Sequence, residues 1–97
     1  MATIAWTAEA ECWLEDIYEY IAADNPTAAS ETVEGIFERA QVLAEYPEMG
    51  QRFASSPRNV RILVHGHYRI AYVLKSDGDI DILGVFHSAL DITKYQL

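Results

Sequence analysis

The chain has 97 residues, with seven basic and fifteen acidic side chains and a formal net charge of -8 at pH 7. This length fits a single domain over residues 1–97, because a chain of this size buries roughly two thirds of its surface and has no room for a second core. Although 51% of the residues are apolar, no apolar run approaches the roughly 18 residues that a membrane span needs. We therefore expect one soluble globular domain without a membrane partner.

The N-terminal six residues lack the basic start and the long apolar stretch of a signal peptide. The single cysteine, Cys12, has no disulfide partner. Its place in a helical pattern predicts a small, buried or half-buried hydrophobic side chain rather than a catalytic one. Both observations favour the cytoplasm.

Charge is divided unevenly along the chain. Residues 1–50 carry eleven acidic side chains and one basic one, a net of -10, whereas residues 51–97 carry six basic and four acidic ones, a net of +2. A polyanion is held through released counterions and needs basic residues, so the total charge argues against a nucleic-acid binder. An anionic partner is expected to approach the C-terminal half.

The N-terminal half predicts a short strand followed by a helix. Residues 3–6 are β-branched and apolar, which suits a strand that joins the sheet formed later in the chain. Thr7 is the predicted N-cap of a helix over residues 8–23, whose apolar positions recur at helical spacing. Trp6 and Trp13 are interpreted as packing residues between this helix and the sheet.

A second helix follows after a very short connection. Asn25 is its predicted N-cap and Pro26 its first residue, where the missing N–H costs nothing. The helix should end near Glu45, because Pro47 disfavours helix at the residue before it. Two helices joined so closely fold back as a hairpin. Residues 50–57 are predicted to be a loop.

Three alternating runs between residues 59 and 89 predict an antiparallel meander. Asp77 and Gly78 predict a tight two-residue hairpin turn. Gly84, inside the third strand, predicts a bulge or a close backbone approach. The fold class is therefore α+β, with an N-terminal strand and a helical hairpin that covers one face of an antiparallel sheet. The residues expected in the helix-to-sheet core are Leu14, Ile17, Ile36, Phe37, Ile70 and Tyr72.

Six regions of the chain, the first of which contains three separate stretches, resemble in this order the ParE branch of the ParE/RelE toxin superfamily over nearly the whole chain. They are Trp6-Thr7-Ala8-Glu9-Ala10 with Leu14-Glu15-Asp16-Ile17 and Tyr20-Ile21-Ala22, Asn25-Pro26-Thr27-Ala28-Ala29, Leu43-Ala44-Glu45-Tyr46-Pro47-Glu48-Met49-Gly50, Val60-Arg61, Tyr68-Arg69-Ile70-Ala71-Tyr72, and Ile82-Leu83-Gly84-Val85-Phe86-His87.

The resemblance implies the toxin of a type II toxin–antitoxin system, with a fold that agrees with the one predicted above. It implies a ParD-like antitoxin as partner in a hetero-oligomer, and no cofactor. Within the superfamily, ParE proteins poison DNA gyrase without being nucleases, whereas RelE-type proteins are ribosome-dependent messenger RNA endonucleases. A third alternative is a toxin fold that has lost toxicity and only binds an antitoxin.

The first two alternatives differ in the catalytic side chains that they require. Cleaving RNA through its 2′-hydroxyl requires a base, a cation and an acid around one phosphate. If the chain is a nuclease, Arg61, Arg69 and His87 are the candidates. However, residues 88–90 are not basic where that branch is basic, and a charge of -8 repels the ribosome.

We therefore favour a ParE-like toxin without catalysis of its own. Its expected antitoxin- or target-binding residues are Arg58, Arg61, Arg69, Tyr72 and His87. A C-terminal antitoxin segment, disordered when free, is expected to fold across a groove between the hairpin and the sheet and to reach Arg61 or Arg69 with an acidic side chain. Arg69 and His87 also have ordinary structural interpretations, as a sheet arginine and a strand-end histidine that bond backbone groups.

A histidine pair and one glutamate are not expected to bind a metal or to act in catalysis. His65 and His67 flank a glycine, but no third ligand is in view, so no metal site is predicted. Glu48 lies in a Pro-Glu-Met-Gly loop and is expected to be solvated rather than a general base.

Overall fold

A computed structural model of the chain describes residues 2–90 and 92–94. Its helices and strands are β1 (Ile4–Trp6), α1 (Ala8–Ala22), α2 (Pro26–Gln41), β2 (Gln51–Arg52), β3 (Val60–His65), β4 (Tyr68–Leu74) and β5 (Ile80–His87). The five strands form one mixed sheet in the order β1-β5-β4-β3-β2, and the two helices pack on one of its faces. The predicted α+β class is confirmed.

Both predicted helix caps are present. The Thr7 hydroxyl accepts a hydrogen bond from the Ala10 N–H at 3.1 Å and donates one to the Ile82 carbonyl at 2.7 Å, so the cap also ties α1 to β5. The Asn25 side chain accepts from the Ala28 N–H at 3.1 Å. After α2 the chain continues as one 3₁₀ turn, Val42–Ala44, which ends one residue before the predicted helix end.

The sheet contains one strand, β2, that the sequence pattern does not predict. β1 runs parallel to β5, with Ile4 opposite Ile80, and β3, β4 and β5 form the predicted antiparallel meander. The prediction of a loop over residues 50–57 is wrong in part, because β2 pairs with β3 there. Two residues are too short a run to show alternation.

The two hairpin turns differ from each other. Gly66, with a φ of 57°, opens a two-residue turn between His65 and Tyr68. The second turn is not the predicted two-residue one. The Lys75 N–H donates to the Asp79 carbonyl at 2.9 Å, which leaves three residues between them, and Gly78 supplies the positive φ, at 91°.

The predicted irregularity at Gly84 is confirmed. Ala71 pairs with Gly84 whereas Tyr72 pairs with Ile82, so Leu83 is an extra residue in β5. A Cβ atom on Gly84 would lie 3.0 Å from the Phe86 ring and 3.3 Å from the Trp13 ring. A side chain at this position would therefore require the Trp13 and Phe86 rings, with centroids 4.5 Å apart, to shift by a few tenths of an ångström.

The main core lies between the helices and the sheet and contains three of the six predicted residues in fully buried form, Ile36, Ile70 and Tyr72. Leu14 and Ile17 are partly buried against it. Phe37 is not a core residue: its side chain is 45% exposed and stacks on Trp6 at the edge of the hairpin. The prediction of a buried Cys12 is also wrong, because its side chain is exposed.

A second, smaller apolar cluster lies on the opposite face of the sheet. Its buried members are Ala71, Phe86 and Ile92, and Trp13 of α1 packs against them together with Phe53, Ile62 and Leu83. Ile92 comes from a 3₁₀ turn, Ile92–Lys94, in a C-terminal stretch for which the sequence predicts no element. Within the ranges given above, no helix is long and apolar enough to span a membrane.

Candidate functional site

The loop of residues 46–50 is held by two side chains that reach it from the sheet. The buried Tyr72 hydroxyl accepts a hydrogen bond from the Gly50 N–H at 2.9 Å and donates one to the Pro47 carbonyl at 2.8 Å. Arg61, directly opposite Tyr72 in the β3–β4 pairing, donates from Nη1 to the Gly50 carbonyl at 2.8 Å and to the Glu48 carbonyl at 3.2 Å. These hydrogen bonds from Tyr72 and Arg61 therefore hold the loop backbone against the sheet.

The environment of Tyr72 also changes its acidity. Burial raises the pKa of the Tyr72 phenol above its ordinary value of 10.0, against the opposing effects of the Gly50 hydrogen bond and the Arg61 charge. Glu48 adds a smaller effect in the same direction as burial. The hydroxyl consequently stays protonated and can donate to Pro47 at neutral pH.

The same loop presents apolar side chains outward. Tyr46 is 60% exposed and Met49 is 44% exposed. They belong to a shallow, mainly apolar cavity of about 650 Å³ that we call the Tyr46 patch, lined by Val42, Glu45, Tyr46, Pro47, Glu48 and Met49. Two of the six lining residues are carboxylates and none is basic.

Arg69 lies on the other face of the sheet. It stands opposite Val64 and Phe86 in the strand pairing, and cross-strand partners share a face. Its Nη2 donates to the carbonyls of Ser88 and Leu90 at 2.9 and 2.8 Å. Arg69 thereby fixes the segment that follows β5 against the sheet.

A groove of about 550 Å³ lies beside Arg69 on this face. We call it the open-face groove; the described residues that line it are Gln51, Arg52, Phe53, Ala54, Ile62, Val64, Arg69, Leu90 and Ile92. None of these is acidic, and Arg52 and Arg69 are basic. Among residues 2–90 and 92–94, the hydrogen-bond acceptors of Arg69 are the neutral Ser88 and Leu90 carbonyls, and Arg69 brings a positive charge to the groove.

His87 ends β5 opposite Tyr68, with the two rings edge to face at 5.6 Å. Its Nδ1 accepts a hydrogen bond from the Ala89 N–H at 3.1 Å, which assigns the proton of the neutral ring to Nε2. The ring of His67 stacks beside it at 6.2 Å. His87 also borders a third groove, of about 520 Å³, between α1 and β5.

Comparison with known proteins decides the family. The family model described as ParE toxin of type II toxin-antitoxin system, parDE, matches residues 4–92. The chain belongs to the ParE toxin family. The resemblance inferred from the six sequence regions is thus confirmed.

Two relatives and two solved structures show the range of similarity. The putative toxin Y4kP of Sinorhizobium fredii is 34% identical over 88% of this chain and 86% of its own length, and toxin RelE2 of Caulobacter vibrioides is 34% identical over 92% and 98%. A chain of the chromosomal ParDE toxin–antitoxin system from P. aeruginosa matches with a TM-score of 0.75 and 26% identity over 90% of this chain and 96% of that one. A chain of the toxin–antitoxin complex RelBE2 from Mycobacterium tuberculosis, 22% identical over 89% and 96%, has the same fold with a TM-score of 0.60.

In this ParE family member, the candidate nuclease residues do not meet. Arg61 and His87 are on the helix-covered face and Arg69 is on the open one. The register puts Arg61 opposite Tyr72 and His87 opposite Tyr68, four residues or about 13 Å apart along β4.

The expected binding residues are divided in the same way. Arg61 and Tyr72 are brought together, and Tyr72 is completely buried and bonds the loop from the sheet. Arg58 is exposed in the loop before β3, where its N–H donates to the Ser56 hydroxyl at 3.2 Å. Glu48 is exposed, as expected.

The sequence reading missed Tyr46 and Met49 as surface residues. The Pro47 and Gly50 pattern signals a turn there, but only the contacts of Tyr72 and Arg61 determine which way the loop side chains point. In the part of the chain that the structure describes, no three metal-ligating side chains come together.

Proposed function

We propose that this chain is the toxin of a type II toxin–antitoxin pair, that it inhibits DNA gyrase by binding, and that a ParD-like antitoxin neutralises it. The observation that supports this proposal over a nuclease is the separation of Arg61, Arg69 and His87. Cleavage of RNA needs a cation, a base and an acid around one phosphate. Here the two arginines lie on opposite faces of the sheet and donate to backbone carbonyls.

Electrostatics supports the same choice. A nuclease that works on the ribosome must approach a dense polyanion, whereas this chain has a net charge of -8. Like-charge repulsion would slow that approach over the whole surface except near the few exposed cations.

The proposed antitoxin contact is the open-face groove. Its apolar floor, with Phe53, Ile62 and Val64, lies beside Arg52 and Arg69, which suits an amphipathic segment carrying carboxylates. Of the two arginines expected to meet such a segment, Arg69 lines this groove, whereas Arg61 lies on the other face beneath the 46–50 loop.

The test is a pair of assays with the purified toxin. We expect inhibition of supercoiling by gyrase, relieved by the antitoxin, and no transcript cleavage in a translating extract. His87→Ala should inhibit gyrase as the parent does, and His67→Ala, which removes the neighbouring ring, is the matched control. Ribosome-dependent cleavage that disappears in His87→Ala but persists in His67→Ala would overturn the proposal in favour of a RelE-like endonuclease.

A further inference from the structure

We infer that the Tyr46 patch is the surface by which this toxin contacts its protein target, and that the target offers an apolar side chain framed by basic residues. The inference rests on the proposed function and deepens it. It assigns target binding and antitoxin binding to two different surfaces of opposite charge.

The loop that carries the patch is held by many hydrogen bonds. Beyond the bonds from Tyr72 and Arg61, the Tyr46 N–H donates to the Val42 carbonyl and the Met49 N–H to the Tyr46 carbonyl, both at 3.1 Å. Most of the polar backbone groups of the loop are thus satisfied from within the protein. A loop that is already ordered loses little conformational entropy when a partner binds it.

This rigid loop exposes side chains of the kind that protein partners bind. Tyrosine and methionine are enriched at protein–protein contacts, and a buried aromatic anchor commonly dominates the binding energy. Tyr46 and Met49 stand beside Pro47 in one mainly apolar cavity. A core role is excluded, since Tyr46 is 60% exposed and Met49 is 44% exposed.

The charged residues that line the patch are acidic. Glu45 and Glu48 line the patch without any basic residue, and the whole chain is strongly acidic. DNA would be repelled by this surface, whereas an enzyme that handles DNA exposes basic residues along the path of the nucleic acid. An acidic antitoxin segment fits the open-face groove instead, because Arg52 and Arg69 line it.

The experiment compares the double variant Tyr46→Ala/Met49→Ala with Tyr18→Ala, a control tyrosine that is 39% exposed on α1 and lines none of the three grooves. Two quantities are measured for each protein, the concentration that half-inhibits gyrase supercoiling and the affinity for the antitoxin. We expect the patch variant to need at least about tenfold more protein for inhibition, as the loss of a central contact implies. Its antitoxin affinity should stay unchanged, which also shows that it folds.

A charge variant tests whether basic residues of the target surround the apolar side chain that contacts the Tyr46 patch. Glu45→Gln/Glu48→Gln should weaken gyrase inhibition and reduce its dependence on salt. Glu31→Gln/Glu34→Gln, which removes two charges from the exposed side of α2, is the matched control and should behave like the parent.

Three outcomes would refute this inference, and one of them would also refute the proposed function. A patch variant that inhibits gyrase as strongly as the parent refutes this inference and leaves the proposed function intact. A patch variant that loses antitoxin affinity in place of gyrase inhibition makes the patch an antitoxin contact and also refutes it. A parent protein without effect on gyrase refutes the proposed function, and this inference with it.

Discussion

The Tyr72 phenolic oxygen accepts a hydrogen bond from the backbone N–H of Gly50 at 2.9 Å, across a sequence separation of 22 residues. The bond joins the centre of the sheet to the loop that carries the Tyr46 patch. Tyr72→Phe would leave the Gly50 N–H and the Pro47 carbonyl without this partner.

We expect Tyr72→Phe to lower the free energy of unfolding by about 1–3 kcal/mol, the cost of leaving buried polar groups unsatisfied. Hydrogen exchange should quicken at the Gly50 amide. Tyr18→Phe, on the exposed surface of α1, should stay within about 0.5 kcal/mol of the parent. Equal stability of the two variants in urea would contradict the structural role given to Tyr72.

The raised pKa of Tyr72 predicts a pH dependence of stability. A pKa that is higher in the folded than in the unfolded state contributes stability that is fully present below the unfolded value, here 10.0. That contribution is lost as the pH rises from there through the folded pKa, because the unfolded chain releases the proton first. The unfolding free energy of the parent should therefore fall more steeply above pH 10.0 than that of Tyr72→Phe, and parallel curves would disprove the assignment.

Two glycines offer a matched pair of substitutions. A Cβ on Gly50 would lie 2.7 Å from the Tyr72 ring and hydroxyl and 3.0 Å from the Ile62 carbonyl, so Gly50→Ala must shift a buried group and should cost about 1–3 kcal/mol. A Cβ on Gly35 meets only the tip of the His65 ring, at 3.2 Å. Gly35→Ala gains up to about 1 kcal/mol of helix propensity and should be close to neutral. Thermal melts of both variants decide this.

Truncations of side chains in the main core give a third comparison. Ile36 and Ile70 are completely buried in the main core, so truncation of either to alanine should cost about 2–5 kcal/mol. Phe37→Ala should cost less, because that ring is almost half exposed and loses chiefly its contact with Trp6. Melting temperatures for Ile36→Ala and Ile70→Ala within a degree or two of the parent would show that the core is wrongly placed.

Arg69 provides a test outside the main core. Arg69→Ala removes the donor to the Ser88 and Leu90 carbonyls, and each lost hydrogen bond costs about 0.5–1.5 kcal/mol. Amide exchange at Leu90 should quicken, whereas Arg58→Ala, in an exposed loop, should leave it unchanged. Unaltered exchange at Leu90 in Arg69→Ala would mean that this arginine does not hold the segment after β5.

Local signals in the sequence predicted much of this fold. Thr7 and Asn25 are caps because their side chains accept bonds from the first helical turn, and the alternation in β3 to β5 follows from packing of one face against the main core. Such signals do not contain the register between strands. That register sets Arg61 against Tyr72 and Arg69 against Phe86, and so it decides that the two arginines lie on opposite faces.

The candidate site was less predictable for the same reason. The role of Tyr72 depends on a loop 22 positions earlier in the chain, and no periodic pattern relates the two. The exposure of Tyr46 follows from how that loop is anchored, and the two-residue strand β2 is too short to have a pattern of its own. Both features arise only when the sheet is assembled.

The parallel pairing of β1 with β5 has a consequence for synthesis of this toxin. Ile4 lies opposite Ile80, and the Thr7 cap is bonded to Ile82, so the first strand has no partner until most of the chain has been translated. A domain of this kind folds as a unit once its last strands have emerged. A ribosome that terminates before codon 82 would release a helical hairpin with no sheet to cover, and no folded toxin would form.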